Sequence, residues 1–240
     1  MYYAVVALMA FIAGIIQGVT GFGSCIVMMM VFPFLFSVSE GAGIAVAITI
    51  FLSLSAAIRY RKEISPKKLL PTALLYIVVS GIAIRFSSYL NPDLIKRIFG
   101  VFLILLSVYF LFVSPSASGK KLSPAAVILC IVVSAVCDGL FGIGGPLMVL
   151  VVMGMTSSTR EYLGSILFIS TLTCLYGTAA RFVEGILGVH QLPYIAVGIA
   201  AILAGAYVAG KIVDKLDARL IRKITYGMIG VAGIINLFNL

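Results

Sequence analysis

Gln17-Gly18-Val19-Thr20-Gly21-Phe22-Gly23-Ser24 is one of two copies of the pattern that decides the fold. The other is Asp138-Gly139-Leu140-Phe141-Gly142-Ile143-Gly144-Gly145, 121 residues further on. Both read G-x-x-G-x-G followed by a small residue, with a polar residue before the first glycine. Each copy sits between two short apolar runs. One such pattern means little in a chain with 24 glycines, so the weight falls on what else repeats around it.

The repeat reaches well beyond the glycines. Arg59-Tyr60 and Pro71 match Arg181-Phe182 and Pro193, with the same spacing of 12 from Arg to Pro. Thr49 matches Thr171, and Leu94-Ile95-Lys96-Arg97-Ile98 matches Leu220-Ile221-Arg222-Lys223-Ile224. The anchors keep one order in both halves. They divide the chain into a first repeat, residues 1–113, a polar linker at 114–123, and a second repeat, residues 124–240. The linker, Ser114-Pro115-Ser116-Ala117-Ser118-Gly119-Lys120-Lys121 and the residues after it, has loop chemistry.

Composition places both halves in a membrane. Apolar residues make up 62% of the chain and charged residues 10%, far from the roughly half and quarter of soluble domains. The net charge of +9 comes from short loops between apolar runs rather than from a basic domain. Headgroup-facing topology signals are therefore expected, and nucleic acid is not. The first 58 residues contain no Lys or Arg, so a positive signal-peptide n-region is not expected. Cys25, Cys130, Cys137 and Cys174 all fall in or beside apolar segments and read as free thiols. His190 is the only histidine, and no metal or cofactor spacing is seen.

Five apolar runs per half are read, at about 3–16, 22–37, 41–58, 69–84 and 94–113, then 124–136, 145–155, 162–180, 192–209 and 220–240. The expected fold is an all-α integral membrane protein of 8–10 hydrophobic segments, with short glycine-broken helices near the midplane. A spanning helix needs about 20 residues. The first two runs of each half are shorter, so each pair is either a re-entrant hairpin or two full spans. Either way the count per half is odd, and the second repeat should be inverted. Thirteen of the seventeen Lys and Arg then fall on one face, which the positive-inside rule puts in the cytoplasm with both termini outside.

Paired helix breaks in an inverted repeat are the sequence pointer to a secondary transporter site. Glycine lets the chain turn sharply and lets a ligand approach the backbone. The helix resuming after each break points N–H groups and partial positive charge back into it, which suits an anion. Gln17, Gly18, Thr20, Gly21, Gly23, Ser24 and Cys25 from the first motif are substrate-binding candidates, as are Gly139, Gly142, Gly144 and Gly145 from the second. Thr49 and Thr171 can line a path, although hydroxyls bonding back to their own helix are the commoner finding. Some glycines serve only close helix packing, with Gly205 and Gly210 as examples.

Asp138, standing where the first motif has neutral Gln17, is the one carboxylate deep in an apolar stretch. Such a residue is a functional hypothesis by default and can couple proton movement to transport; a solvated loop position or pairing with Arg181 are the alternatives. Arg59 and Arg181, symmetry-related and towards opposite faces, are gating candidates that can draw anions to each entrance. Catalysis is poorly supported, because neither a carboxylate pair nor an intramembrane histidine is present. An uncoupled anion channel and a non-transporting assembly or maturation factor remain as alternatives.

These motifs, the cationic loop ending the third run and the repeated Leu-Ile-Lys/Arg-Arg/Lys entry to the last run resemble the sulfite exporter TauE/SafE-type (TSUP) permeases. The resemblance spans nearly the whole chain. Gly139 to Pro146 is the closer match, while the first motif has Ser24 where glycine is more usual. The resemblance implies a permease of the bacterial or archaeal cytoplasmic membrane. It implies movement of sulfite, sulfonates or related organic anions with an ion gradient, the class and not the compound.

Overall fold

The computed structural model describes residues 1–112, 123–212 and 230–237. The linker at 114–122 and the Leu220-Ile221-Arg222-Lys223-Ile224 anchor therefore lie outside the described residues. Within them the chain is helical: α1 (Tyr2–Thr20), α2 (Ser24–Met29), α3 (Val38–Arg59), α4 (Pro66–Ser87) and α5 (Pro92–Phe112) in the first half. The second half gives α6 (Pro124–Phe141), α7 (Gly145–Met155), α8 (Thr159–Val183), α9 (Leu192–Ile212) and a helical stretch at 230–237. Four of these helices, and a fifth segment at Val189–Lys211, are long and apolar enough to cross a membrane. The protein is an all-α multi-pass membrane protein.

The glycine motifs sit where α1 turns into α2 and α6 into α7. Gly21 and Gly142 are the left-handed residues ending the first helix, at φ 82° and 69°. Each donates its N–H four residues back, Gly21 to Gln17 O at 2.7 Å and Gly142 to Asp138 O at 2.8 Å. This is the single-bond left-handed cap, which glycine adopts without a Cβ penalty.

The returning helices are short. At 1.5 Å per residue α2 rises about 9 Å and α7 about 17 Å, against a hydrocarbon core of about 30 Å. The motif pairs thus match neither possibility left by the sequence, a re-entrant hairpin or two full spans: each is a near-full-length helix followed by a partial return. The apolar run at 22–37 does not make one helix, because Pro33 removes a donor and its ring clashes with the carbonyl four residues earlier, that of Met29. α2 ends at Met29, and a 3₁₀ turn, Phe32–Phe34, follows.

Helix directions follow from who touches whom. A Cβ at Gly14 would meet Ile202 and Ala206, and one at Gly18 would meet Ala209, so α1 and α9 run parallel. Gln191 reaches Glu40 and Gly198 lies on Ile48, making α3 parallel to α9. Tyr76 meets Ser134, and Ser80 meets Asp138, so α4 and α6 run parallel. Gly164 lies on Tyr60 and Gly177 on Val46, which sets α8 antiparallel to α3. The short connection at 60–65 reverses α4 relative to α3. Hence α1, α3 and α9 point one way and α4, α6 and α8 the other. Exchanging α1, α3, α4 for α6, α8, α9 flips every direction, which is an inverted repeat.

The halves interlock. The first helix of each packs along the fourth of the other, α1 on α9 and α6 on α4, with α3 against α8 at the centre. Gly205 abuts the Phe11 carbonyl, so small residues do let α1 and α9 approach closely. Gly210, expected to do the same, faces open space among the described residues. The two glycine turns are placed equivalently: Gly21 rests on Leu163 of α8, and Gly142 on Ala42 of α3. Those two partners fall within one residue of each other in the repeat.

Candidate functional site

The two breaks face one cavity of about 80 Å³. A single water needs at least about 10–15 Å³ by the same measure, so several waters or one small anion fit. Gln17, Gly21, Gly23, Ser24 and Cys25 line it from the first motif, and Asp138, Gly142, Gly144 and Gly145 from the second. Thr49 completes the set brought together from the expected residues. The rest of the wall includes Phe22, Tyr76, Met148, Ser170, Thr173 and Cys174.

On the first-repeat side the lining is hydroxyl and thiol. Thr49 lies midway along α3 and bonds back to Ala45 O at 2.8 Å. Its oxygen also sits 3.0 Å from Ser24 Oγ and 3.3 Å from Cys25 Sγ. Thr171 makes the same backbone bond, to Leu167 O at 2.8 Å, but does not line the cavity. The positions matching Ser24 and Cys25 are Gly145 and Pro146, so no side-chain donor waits there for it.

The second-repeat side is more polar. Asp138 is 7% exposed, and Ser80 Oγ donates to its Oδ2 at 3.4 Å. Tyr76 OH donates to Ser134 O at 3.5 Å, and Ser134 Oγ donates to Gly144 O. A Cβ at Gly144 would fall on the Tyr76 hydroxyl, so glycine is what admits that ring to the start of α7. Gly139 plays no lining role. A Cβ there would collide with Ala83 and lie 2.7 Å from Ser80 O, so it serves the α4–α6 contact, as Gly18 serves α1–α9. Thr20 closes α1; its side chain is not described.

The two arginines part company. Arg59 is exposed at the end of α3. Arg181 is 1% exposed, and is buried rather than standing at an entrance. Its Nη2 donates to Asp138 O at 2.8 Å and Gly139 O at 2.9 Å, and Nη1 to Gly177 O at 3.2 Å. The guanidinium thus caps the negative end of α6, in part through the main-chain oxygen of the residue whose carboxylate faces Ser80.

Tyr76, Ser80 and Ser134 were missed in the sequence reading, and a signal for them existed. Tyr76 and Ser80, like Ser134 and Asp138, stand four apart in apolar helices, so each pair shares a helix face. All four cysteines are free, and Cys25 and Cys174 approach the same space from different halves.

Comparison with known proteins agrees with this architecture. A probable membrane transporter protein of Methanocaldococcus jannaschii is 24% identical over 176 residues, covering 69% of this chain and 64% of that relative. The matched region is therefore a little under two thirds of the relative's length. No solved structure matches. The profile of the family described as sulfite exporter TauE/SafE matches residues 6–235. As that match takes in both glycine breaks and every helix walling the cavity, the chain belongs to the sulfite exporter TauE/SafE family of membrane transporters.

Proposed function

We propose that this protein is a secondary transporter of the cytoplasmic membrane. It moves a small, sulfur-containing anion such as sulfite or a sulfonate by alternating access about the two glycine breaks. The observation that carries this reading is the shared cavity, into which both breaks and Asp138 open. The N-terminal turn of α7 offers main-chain N–H groups to the anion, and Ser24, Cys25 and Thr49 offer hydroxyl and thiol donors from the other side. Basic loops lie in the cytoplasm and the termini outside.

The coupling ion is a proton, carried by Asp138. In broken-helix transporters a metal cation binds at carbonyl ends of half-helices. Here two of those of α6, on Asp138 and Gly139, are already taken by the Arg181 guanidinium, which favours the proton.

Thermal unfolding against sulfite, thiosulfate, taurine, sulfoacetate, sulfate and short carboxylates tests the substrate class. A hundredfold excess over Kd adds about 2.7 kcal/mol of stability. Asp138→Asn then tests coupling in proteoliposomes. The variant should still let the responding anion equilibrate, while a pH gradient no longer accumulates it. Undiminished accumulation by Asp138→Asn would remove the carboxylate from the mechanism.

A further inference from the structure

The connection from α3 to α4 and the start of α8 enclose a surface depression with an unbalanced charge. Arg59, Arg61, Lys62 and Arg160 line it over Ile58 and Tyr60, and Glu63 is the one acid. No hydrogen bond or ion pair to any of the four cations is found among the described residues. Two helix starts add to the positive field. Arg160 is in the first turn of α8, and α4 opens with Pro66, Lys67 and Lys68, with no side-chain cap and no acid in its first turn. Cations at helix N-termini repel the helix dipole; Glu161 offsets this in the first turn of α8, but α4 has no such acid, and cations outnumber carboxylates at this corner.

The charge is not a by-product of the scaffold. The inverted repeat puts a second depression at the corresponding place on the opposite face. That one is lined by Glu40, Glu184 and serines, and by no Lys or Arg. Lys62 of the basic depression corresponds to Glu184 of the acidic one, and Arg160 to Ser39. An apolar track also leads away from the basic depression. Phe51, Leu54 and Ile58 share one face of α3 by helical spacing and are exposed, Ile58 by 56%. Otherwise α3 is mostly buried.

We propose that the basic depression is a binding site for an anionic phospholipid. Its phosphate is held by Arg61, Lys62 and Arg160, and an acyl chain lies along Phe51, Leu54 and Ile58. Arginine suits phosphate through forked, charge-assisted bonds, and basic pockets at the ends of membrane helices recognise lipid headgroups on this principle. Of the anions that fit the charge, a phospholipid also uses the track. The site stands apart from the cavity and does not depend on what the cavity transports.

The test is thermal unfolding of the purified protein in neutral detergent with dioctanoyl phosphatidylglycerol, dioctanoyl phosphatidylcholine or inorganic phosphate. Phosphatidylglycerol should raise the midpoint saturably, and the other two should not at equal concentration. At about fivefold per surface cation, the triple variant Arg61→Gln/Lys62→Gln/Arg160→Gln should bind phosphatidylglycerol on the order of a hundredfold more weakly. Arg85→Gln/Arg97→Gln, on the opposite face, should bind as the wild type does. All five side chains are at least partly exposed, so folding survives. An equal response to phosphatidylcholine, or an unchanged triple variant, overturns the site. A response to inorganic phosphate matching that to phosphatidylglycerol overturns the lipid as its occupant.

Discussion

Arg181→Met removes a guanidinium that joins α8 to the end of α6, and the structure says what each lost bond is worth. Asp138 O keeps the N–H of Gly142 at 2.8 Å. Gly177 O keeps its place in the α8 ladder, where it accepts from the residue four further on. Gly139 O has no other donor among the described residues, so the variant orphans one buried carbonyl and weakens two others. An orphaned buried acceptor costs about 1–3 kcal/mol, and each weakened bond a fraction of the usual ~1 kcal/mol. Together these predict a loss of about 2–4 kcal/mol, with methionine filling much of the vacated volume. Arg181→Lys keeps the charge, but an ammonium lacks the planar fork that spans two carbonyls, so it should recover no more than about half. Reversible unfolding in mixed dodecyl maltoside–SDS micelles, followed by far-ultraviolet circular dichroism, measures both. If Arg181→Lys is as stable as wild type, charge alone matters and the fork does not. If Arg181→Met costs under about 1 kcal/mol, the clamp itself is refuted.

Two glycine comparisons extend the reasoning. Gly142 and Gly185 have nearly the same φ, 69° and 70°, but a Cβ at Gly142 lies 3.2 Å from Ala42 O, while Gly185 has nothing within 4 Å. Gly185→Ala should cost about 1–2 kcal/mol for the left-handed backbone, and Gly142→Ala about 1–3 kcal/mol more for crowding α3; equal losses in the same unfolding assay would deny that crowding. Gly205→Ala should separate α1 from α9 and cost more than about 2 kcal/mol, whereas Gly210→Ala, in open helix, should gain up to about 1 kcal/mol. A destabilised Gly210→Ala would mean that its surroundings are closed.

What was legible in the sequence was what repeats. The paired turns, the inverted directions and the joint cavity all follow from motifs that occur twice in the same order, 121 to 126 residues apart. The second run of the first half was overextended, since hydropathy reads through Pro33 while the backbone cannot. Arg181 illustrates a different limit. Its partner in the repeat, Arg59, is exposed at a helix end. Nothing in one dimension tells that Arg181 turns inward onto carbonyls 42 and 43 residues away. Gly139 and Gly18 look like motif members but act through packing, because the first glycine precedes the turn and lies on a helix face. Tyr76 was hidden by being on neither motif: it reaches the second break from α4, a helix of the other half.

The departures from symmetry place the buried carboxylate on one side of the cavity. Around the second break stand Tyr76, Ser80, Ser134 and Asp138; the positions corresponding to them around the first are Gly198, Ile202, Ala13 and Gln17. The buried cation follows the same division, with Arg181 inside and Arg59 out. The left-handed cap, by contrast, is shared: the same bond four residues back ends the first helix at both breaks, and the central helix of the other half lies beneath the glycine, while the helices resume differently, from Gly23 at φ 102° and from Gly144 at φ −104°. An inverted repeat supplies two conformations of similar energy by exchanging the roles of its halves. Placing the titratable group in one half only means that a proton on Asp138 weights those two conformations differently. A scaffold with Asp at both breaks would respond to protonation alike in either state, and a ligand that interacts equally with two states shifts neither. Under the proposed mechanism, then, the symmetry of the backbone provides the two access states, and the inequality between Gln17 and Asp138 is what allows a proton gradient to choose between them.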